Sequence, residues 1–467
     1  MLTLPFFRWR PRARAWRADG SLTALSLFSA LGCASTSGSA SYAALQADYA
    51  RSAPVQSSSV PREQQLSASA VLERAAYVRA VLRSNPSIES ARQGFRAALA
   101  RVNQAGAFED PMLDLGVAPL SIGSSKARFG FEVGISQKLP WFGKRSLEAS
   151  IGAAEAEAAK SDYESMKREL ALTALVLYDQ YFIAARSLEI NAHHIELMRA
   201  MRDGATAQFS AGRGSAQDAL QAESELAHME HDTAILRSQR DVTVAQMNEL
   251  LHRAPELPLP PPPSELPLPR ALERDSKRLE AEALQQRTDI AAARHHARAE
   301  QARADRAGRE YYPDFTVSTS YNSMWDMPEH RWMVGLGFNL PIQTGRRAGA
   351  ADEATAMRAQ FESEAARMTD SARTQVYVSL KRLEESKHVI DVFEKRLLPL
   401  AKDQIDAARA GFIASQNPFV AVVDAEKNLR GVELDYQLAR ADYDRRWAEL
   451  ERALGRVPGL DSKEVDR

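Results

Sequence analysis

The side chains best suited to chemistry in this sequence are its histidines, its methionines and one cysteine. His228-Met229-Glu230-His231 sets two imidazoles three residues apart on a helix, a spacing that can hold a metal ion. No third ligand stands near them, and the pattern of a helical metalloprotease is missing. His193-His194 and His295-His296 are adjacent pairs, which point in different directions on a helix. Met324, Met327, His330 and Met333 offer thioether and imidazole groups of the kind that suit Cu(I) or Ag(I). No Ser/His/Asp, Cys/His or paired-carboxylate arrangement stands out against abundant Glu and Asp, and no nucleotide-binding loop occurs. The chain therefore reads as a non-enzyme, with no cofactor and no assigned metal site.

Bulk properties turn attention to the elements instead. The chain has 467 residues, 45% hydrophobic, 26% charged and 7% aromatic, with a formal net charge of −1. Such a balance excludes a nucleic-acid partner, which needs a basic excess. A composition led by Ala, Glu, Arg and Leu belongs to long helices. No apolar run reaches the ~20 residues of a membrane-spanning helix, so any crossing of a bilayer must use a closed β-barrel.

Arg8, Arg10, Arg12, Arg14 and Arg17 precede an apolar stretch from about Leu22 to Leu31, the layout of a secretory signal over residues 1–32. Ala30-Leu31-Gly32-Cys33 resembles a bacterial lipobox, which implies that Cys33, the only cysteine, is a lipid anchor. Ordinary cleavage near Ala40 or Ala43 is the other reading. Residues 33–70, rich in Ser, Ala and Gly, are expected to form an extended arm without a core.

The sequence contains one unit twice. Asn85-Pro86-Ser87-Ile88 answers to Arg287-Thr288-Asp289-Ile290, and Pro111 to Pro313. Gln137-Lys138-Leu139-Pro140-Trp141-Phe142-Gly143-Lys144-Arg145 matches the stretch from Phe338 to Arg347, and Gln221-Ala222-Glu223 with Leu226 matches Asp424-Ala425-Glu426 with Leu429. Repeats over 71–253 and 271–457 flank a stiff connector at 254–270, in which Pro255 to Pro269 holds eight prolines; 458–467 is a tail.

Each unit carries one hairpin and very long helices. Leu113, Leu115 and Val117, then Phe129, Phe131, Val133 and Ile135, alternate with small or charged residues. Phe315, Val317, Thr319 and Tyr321, then Val334, Leu336 and Phe338, do the same. Strands are expected at about 112–118, 127–137, 314–322 and 331–339, with one apolar face. From Lys144 to Gln208 there is no proline, and Leu170, Ala174, Leu177, Tyr181, Ala184, Leu188, Ile195 and Met198 form a heptad seam apart from Asn191. Val376, Leu383, Ile390 and Leu397 keep a seven-residue spacing, as do Val422, Leu429, Tyr436, Tyr443 and Leu450. The helical run breaks once per unit. Gly212, Gly214 and Ser215-Ala216-Gln217-Asp218 have turn and capping-box form, and Asn417-Pro418 predicts an N-cap followed by a first-turn proline.

This ordered set resembles the TolC-type outer-membrane efflux family over about Val71 to Val457. The resemblance implies a mainly α protomer with four membrane strands. Three such protomers would form a trimeric twelve-stranded β-barrel continued by a periplasmic α-helical barrel. It implies passive conduction of an exported solute as the channel of a tripartite system, with a periplasmic adaptor, an RND-type inner-membrane pump and outer-membrane lipid as partners. Asp218 and Asp424 match family aspartates of the periplasmic gate, Ala421 leaves one gate position uncharged, and Gly212, Gly214, Ser215 and Asn417 fall at the adaptor-contact tips. The Pro-Trp-Phe-Gly-Lys-Arg element and the Met/His loop, which would lie at the cell exterior, lean to the heavy-metal branch. A type I protein-secretion duct and a periplasmic coiled-coil scaffold without a pore are the alternatives.

Overall fold

The computed structural model describes residues 39–52, 70–123, 125, 128–212, 214–266, 275–414 and 416–460; the signal segment, Cys33 and the end of the tail lie outside them. The duplication is visible element by element. Short helices α2 (Arg74–Ser84) and α6 (Ser276–Gln286), of 11 residues each, lead into α3 (Pro86–Ala105) and α7 (Thr288–Arg309). Strands β1 (Met112–Val117) and β2 (Phe131–Leu139) answer to β3 (Phe315–Asn322) and β4 (Trp332–Phe338). The rod α4 (Lys144–Ser210) then answers to α8 (Thr344–Val392) plus α9 (Leu398–Ile413), and the return helices α5 (Ala216–Leu250) and α10 (Phe419–Ala453) have 35 residues each. An N-terminal helix, α1 (Ser39–Arg51), precedes both copies.

α4 is one uninterrupted helix of 67 residues, about 100 Å long at its rise per residue. Of its expected seam Leu170, Ala174, Tyr181, Ala184, Ile195 and Met198 are buried and Leu177 and Leu188 half-buried, while Asn191, the exception in the spacing, is buried too. The main core forms where α2, the rod and the C-terminal ends of α5 and α10 meet, around Tyr77, Leu175, Tyr178, Phe182 and Met247. The connector follows the bundle as an extended strap. Its Pro261 carbonyl accepts from Leu72 N–H at 2.9 Å, its Pro260 carbonyl from the Tyr181 hydroxyl at 3.1 Å, and Leu266 is buried.

Three expectations need correction. Residues 39–51 are not an extended arm: they form α1, whose Leu45 is buried among Phe95, Leu99, Val102 and Ala156, because its Ala-rich stretch finds an apolar groove on α3 and α4. Leu397 does not continue the seam of α8. A π-turn at Phe393–Leu397 shifts the helical phase and leaves Leu397 38% exposed, and Pro399, which has no N–H to give, follows at once. β2 begins at Phe131 rather than near 127, since the Gly130 N–H bonds to Ser121 Oγ at 2.9 Å as the hairpin loop closes.

The four strands form one antiparallel sheet in the order β1-β2-β3-β4. Each strand is continuous with a helix of the layer below: α3 runs into β1, β2 into α4, α7 into β3 and β4 into α8. At this joint Gly143 has φ of 86°, and a Cβ there would stand 2.8 Å from the Arg309 guanidinium, so glycine alone fits. Trp141 stacks on Tyr312 at 5.1 Å and on Phe315 at 5.6 Å between ring centres. The Lys144 ammonium is buried, 2.8 Å from Asp314 Oδ1 and 3.2 Å from the Tyr312 carbonyl, while the Trp141 N–H donates to the same Asp314 oxygen at 2.9 Å. One carboxylate of the second repeat thus fixes both the backbone and the first-turn cation of the first.

Asp314→Ala would strand that buried ammonium with only Glu310, at 3.6 Å, as counter-charge. A loss of about 3 kcal/mol is expected, the cost of breaking a buried ion pair from one side. Thermal unfolding in detergent checks it: the midpoint falls by several degrees, Asp314→Asn falls less, and an unchanged midpoint for the alanine variant refutes the role.

Candidate functional site: the two-faced sheet and the helical tips

Strand register divides the sheet cleanly into two faces. Leu115 pairs with Val133, Val133 with Tyr321 and Tyr321 with Trp332; Leu139 pairs with Phe315 and Phe315 with Phe338. These rows carry Leu, Val, Phe, Tyr and Trp almost throughout, and Leu115 and Val334 are 71% and 84% exposed in the single chain. The opposite rows read Asp114-Gly134-Ser320-Met333 and Met112-Ser136-Ser318-Gly335, which are small or polar apart from the two methionines at their ends. Among the described residues β1 and β4 each leave one edge unpaired. A sheet apolar outside and small and polar inside, with open edges, is a segment of a lipid-facing wall.

The tips lie at the other end of the rods. In the first, α4 stops because Gly212 takes φ of 69° and donates its N–H to the Phe209 carbonyl at 2.9 Å. Ser215 caps α5 by accepting from Gln217 N–H at 3.1 Å, but the Asp218 N–H bonds the Ser215 backbone carbonyl at 3.1 Å instead of its hydroxyl, so an N-cap forms in place of the expected capping box. The second tip departs from expectation: Pro418 is the cap residue of α10, and Asn417 sits one place earlier. The Asn417 N–H donates to the Gly411 carbonyl at 3.1 Å and its side chain lies over Gly411, where a Cβ would leave no room. Phe412 and the buried Phe419 close this tip edge to face at 5.3 Å. Asp218 is half-buried in the first turn of α5, and Asp424 is exposed further along α10. They stand on different helices, and among the described residues no hydrogen bond or ion pair joins them. Ala421 is half-buried; Ser415 lies outside the described residues.

The family model for outer membrane efflux proteins matches residues 77–252 and again 279–456, once on each repeat. The chain belongs to the outer membrane efflux protein family. No curated protein matches it. The solved outer-membrane channel OprN superposes with a TM-score of 0.71 at 19% identity, over 82% of this chain and 89% of that one. VceC, an outer membrane protein of Vibrio cholerae, gives 0.68 at 16% identity over 83% and 97%, and the CmeC outer membrane channel of Campylobacter jejuni gives 0.69 at 13% over 90% and 94%. At these identities the likeness speaks for the fold. Outer membrane efflux proteins are channels, and the chain is a protein of the outer membrane that extends into the periplasm.

Within this efflux protein, sequence reasoning passed over one member of an adjacent histidine pair. His194 is buried on α4, with Nδ1 2.5 Å from Glu426 and Nε2 3.0 Å from Glu433, both on α10 and seven residues apart. Arg409 of α9 reaches the second oxygen of Glu426 at 3.3 Å. One turn away Asn191 donates to the Met229 carbonyl at 2.8 Å and accepts from Arg430, while Lys427 meets the buried Glu225 at 2.7 Å. The cluster pins α4, α5, α9 and α10 together between the tips and the main core. The seven-residue spacing of Glu426 and Glu433 was its signal in the sequence. His228 and His231, by contrast, do not converge with any third metal-binding group among the described residues. Met324 packs against Gly130, and His330 meets Trp325 edge on at 6.1 Å.

Burial works against a charge on His194, but the Glu426 and Glu433 carboxylates overcome it and hold its pKa up at about 9. The folded form then binds this proton more tightly than the unfolded chain, whose histidines titrate near ~6.5. Its stabilisation is complete below that value and disappears as pH rises through about 9. Melting between pH 6.5 and 9.5 should show a loss on the order of 3 kcal/mol in the wild-type chain and a much flatter profile in His194→Gln. Parallel profiles for the two proteins would contradict the assignment.

Proposed function

We propose that the chain is the outer-membrane duct of a tripartite efflux system, passively conducting a solute delivered by a periplasmic adaptor and an RND-type inner-membrane pump. The observation that carries this is the two-faced sheet with open edges, continued strand by strand into rods about 100 Å long. Hydrocarbon cannot satisfy an exposed strand edge, so β1 and β4 must pair with strands of other copies. β1 and β4 run antiparallel, so edge-to-edge pairing of copies keeps the sheet antiparallel all round. Four strands are too few to enclose a lumen, and three copies give a twelve-stranded barrel with the polar rows inside.

Cys33 is the lipid anchor in this reading. α1 runs antiparallel to α3: Tyr42 accepts from Asn103 near the sheet end, whereas Tyr49 packs on Phe95 and Asp48 pairs with Lys160 further down the bundle. The start of α1 therefore faces the membrane, and the six residues from Cys33 to Ser39 can stretch roughly 20 Å. At the opposite end Gly212, Gly214, Ser215 and Asn417 form the adaptor-contact surface, and Asp218 and Asp424 ring the periplasmic aperture. Ring carboxylates favour cations over anions. The cargo is a metal ion or a small toxic compound, chosen by the pump.

Reconstitution in planar bilayers tests the duct: discrete conductance steps are expected, with detergent needed for extraction, and a protein that leaves membranes without detergent and never conducts would be a scaffold instead. Asp218→Asn with Asp424→Asn should move the reversal potential in a KCl gradient toward zero. An unchanged potential would remove these residues from the aperture.

A further inference from the structure

The β-to-α joint carries an unusual charge arrangement. In residues 106–111, 138–148, 306–314 and 338–347 the sequence has seven cations against five carboxylates, although the whole chain has a net charge of −1. Four of the carboxylates are engaged by three of those cations: Glu109 by Lys138, Asp314 by Lys144, Glu148 by Arg306, and Glu310 by Lys144 and Arg306. The other four cations are Arg145, Arg309, Arg346 and Arg347. Three of them sit one at each seam of the helix layer and donate to backbone carbonyls. Arg145 bonds the Gly106 carbonyl at 2.7 Å across α3 and α4, and Arg309 bonds that of Phe142 at 3.0 Å across α7 and α4. Arg347 bonds that of Glu310 at 2.6 Å across α8 and α7. Arg346 is exposed beside it. Along the rods many arginines meet carboxylates, as in Arg202 with Glu223 and Arg452 with Glu169, and a carbonyl-bonded arginine such as Arg168 stands singly and not in a row.

A carbonyl satisfies a hydrogen bond without neutralising the charge, and each guanidinium keeps further N–H donors. The row also lies at a defined height. The outward apolar stripe of β4, Val334, Leu336 and Phe338, continues past the strand through Leu340 and Ile342, and Phe142 stands exposed on the same level. Ile342 is only four residues before Arg346. Hydrocarbon contact therefore ends where the unneutralised guanidinium groups begin.

We infer that Arg145, Arg309, Arg346 and Arg347 form a collar that binds the headgroup phosphates of anionic phospholipids in the periplasmic leaflet; this rests on the duct reading, in which the apolar sheet face meets lipid. Planar guanidinium groups with spare donors suit phosphate oxygens in a forked geometry. The local excess of positive charge selects lipids with net negative charge over zwitterionic ones. The seam carbonyls hold the arginines in place, and Gly143 leaves the room that Arg309 needs.

The test uses the full chain in detergent, titrated with phosphatidylglycerol or phosphatidylcholine, reading the thermal midpoint and the lipid retained in native mass spectrometry. Phosphatidylglycerol is expected to raise the midpoint by several degrees and phosphatidylcholine by little. Arg309→Gln with Arg346→Gln should lose at least half of that rise, and Arg309→Lys with Arg346→Lys should keep more of it. Should the double glutamine variant not fold, exposed Arg346→Gln alone gives the same comparison at smaller amplitude. Equal rises for the two lipids, an undiminished rise in the variants, or the same rise with inorganic phosphate would each overturn the collar. A chain that conducts but shows no lipid preference defeats the collar alone; one that never enters a bilayer defeats the duct reading.

Discussion

Hydrocarbon offers no partner to a backbone amide, so a sheet lying in it can leave no edge open. The rest of this protein answers to that constraint. Among the described residues the four strands leave two edges free, and the alternation of apolar and small residues gives the sheet one face suited to lipid and one suited to water. Gly134, Ser136, Ser318, Ser320, Gly335 and Gly337 share the face opposite the apolar rows. The helices inherit the order of the strands, because each strand adjoins one of them in the chain. Conduction through such a channel is a property of packing and pore lining.

The two repeats together build the joint between sheet and helices. Asp314 of the second copy holds Trp141 and Lys144 of the first, while Arg309 of the second bonds the first copy's Phe142 carbonyl. The joint of the first hairpin with its rod is thus held by side chains of the second repeat. Duplication therefore supplies the cross-repeat contacts that fix the wall, in addition to doubling its strands.

Much of this was legible in the sequence, for physical reasons. Strand faces follow a period of two and rods a period of seven, and both survive folding because one side of each element is buried or meets lipid. What could not be read depends on contacts between distant segments. Leu45 looked like part of a featureless arm because the groove that buries it is made by α3 and α4. His194 looked like half of a weak pair because its partners lie more than two hundred residues away. Leu397 kept the spacing of its seam on paper, but spacing assumes an unbroken α-helix, and the π-turn changes the phase. Asn417-Pro418 showed a reversal without showing that Asn417 would fold back over Gly411.

The phase change has a consequence for how the rods differ. From the joint to the tip the first repeat uses 67 residues in one α-helix, while the second spans Thr344 to Ile413, including the five-residue π-turn. Extra residues in a rod of fixed reach must be absorbed somewhere, and a π-turn does so without breaking the helix. Pro399 then removes one more ladder bond at the same place. Below this point α9 and α10 share a small core of their own, Ala401, Ile405, Ala408, Val422, Ala425 and Leu429. They are tied to the first repeat through Phe419 and Val423 and through the His194 cluster. His194 sits between the π-turn and the tip, so its bonds to Glu426 and Glu433 hold α10 to the first repeat's rod just below the phase change, while Phe419 and Val423 hold it nearer the tip.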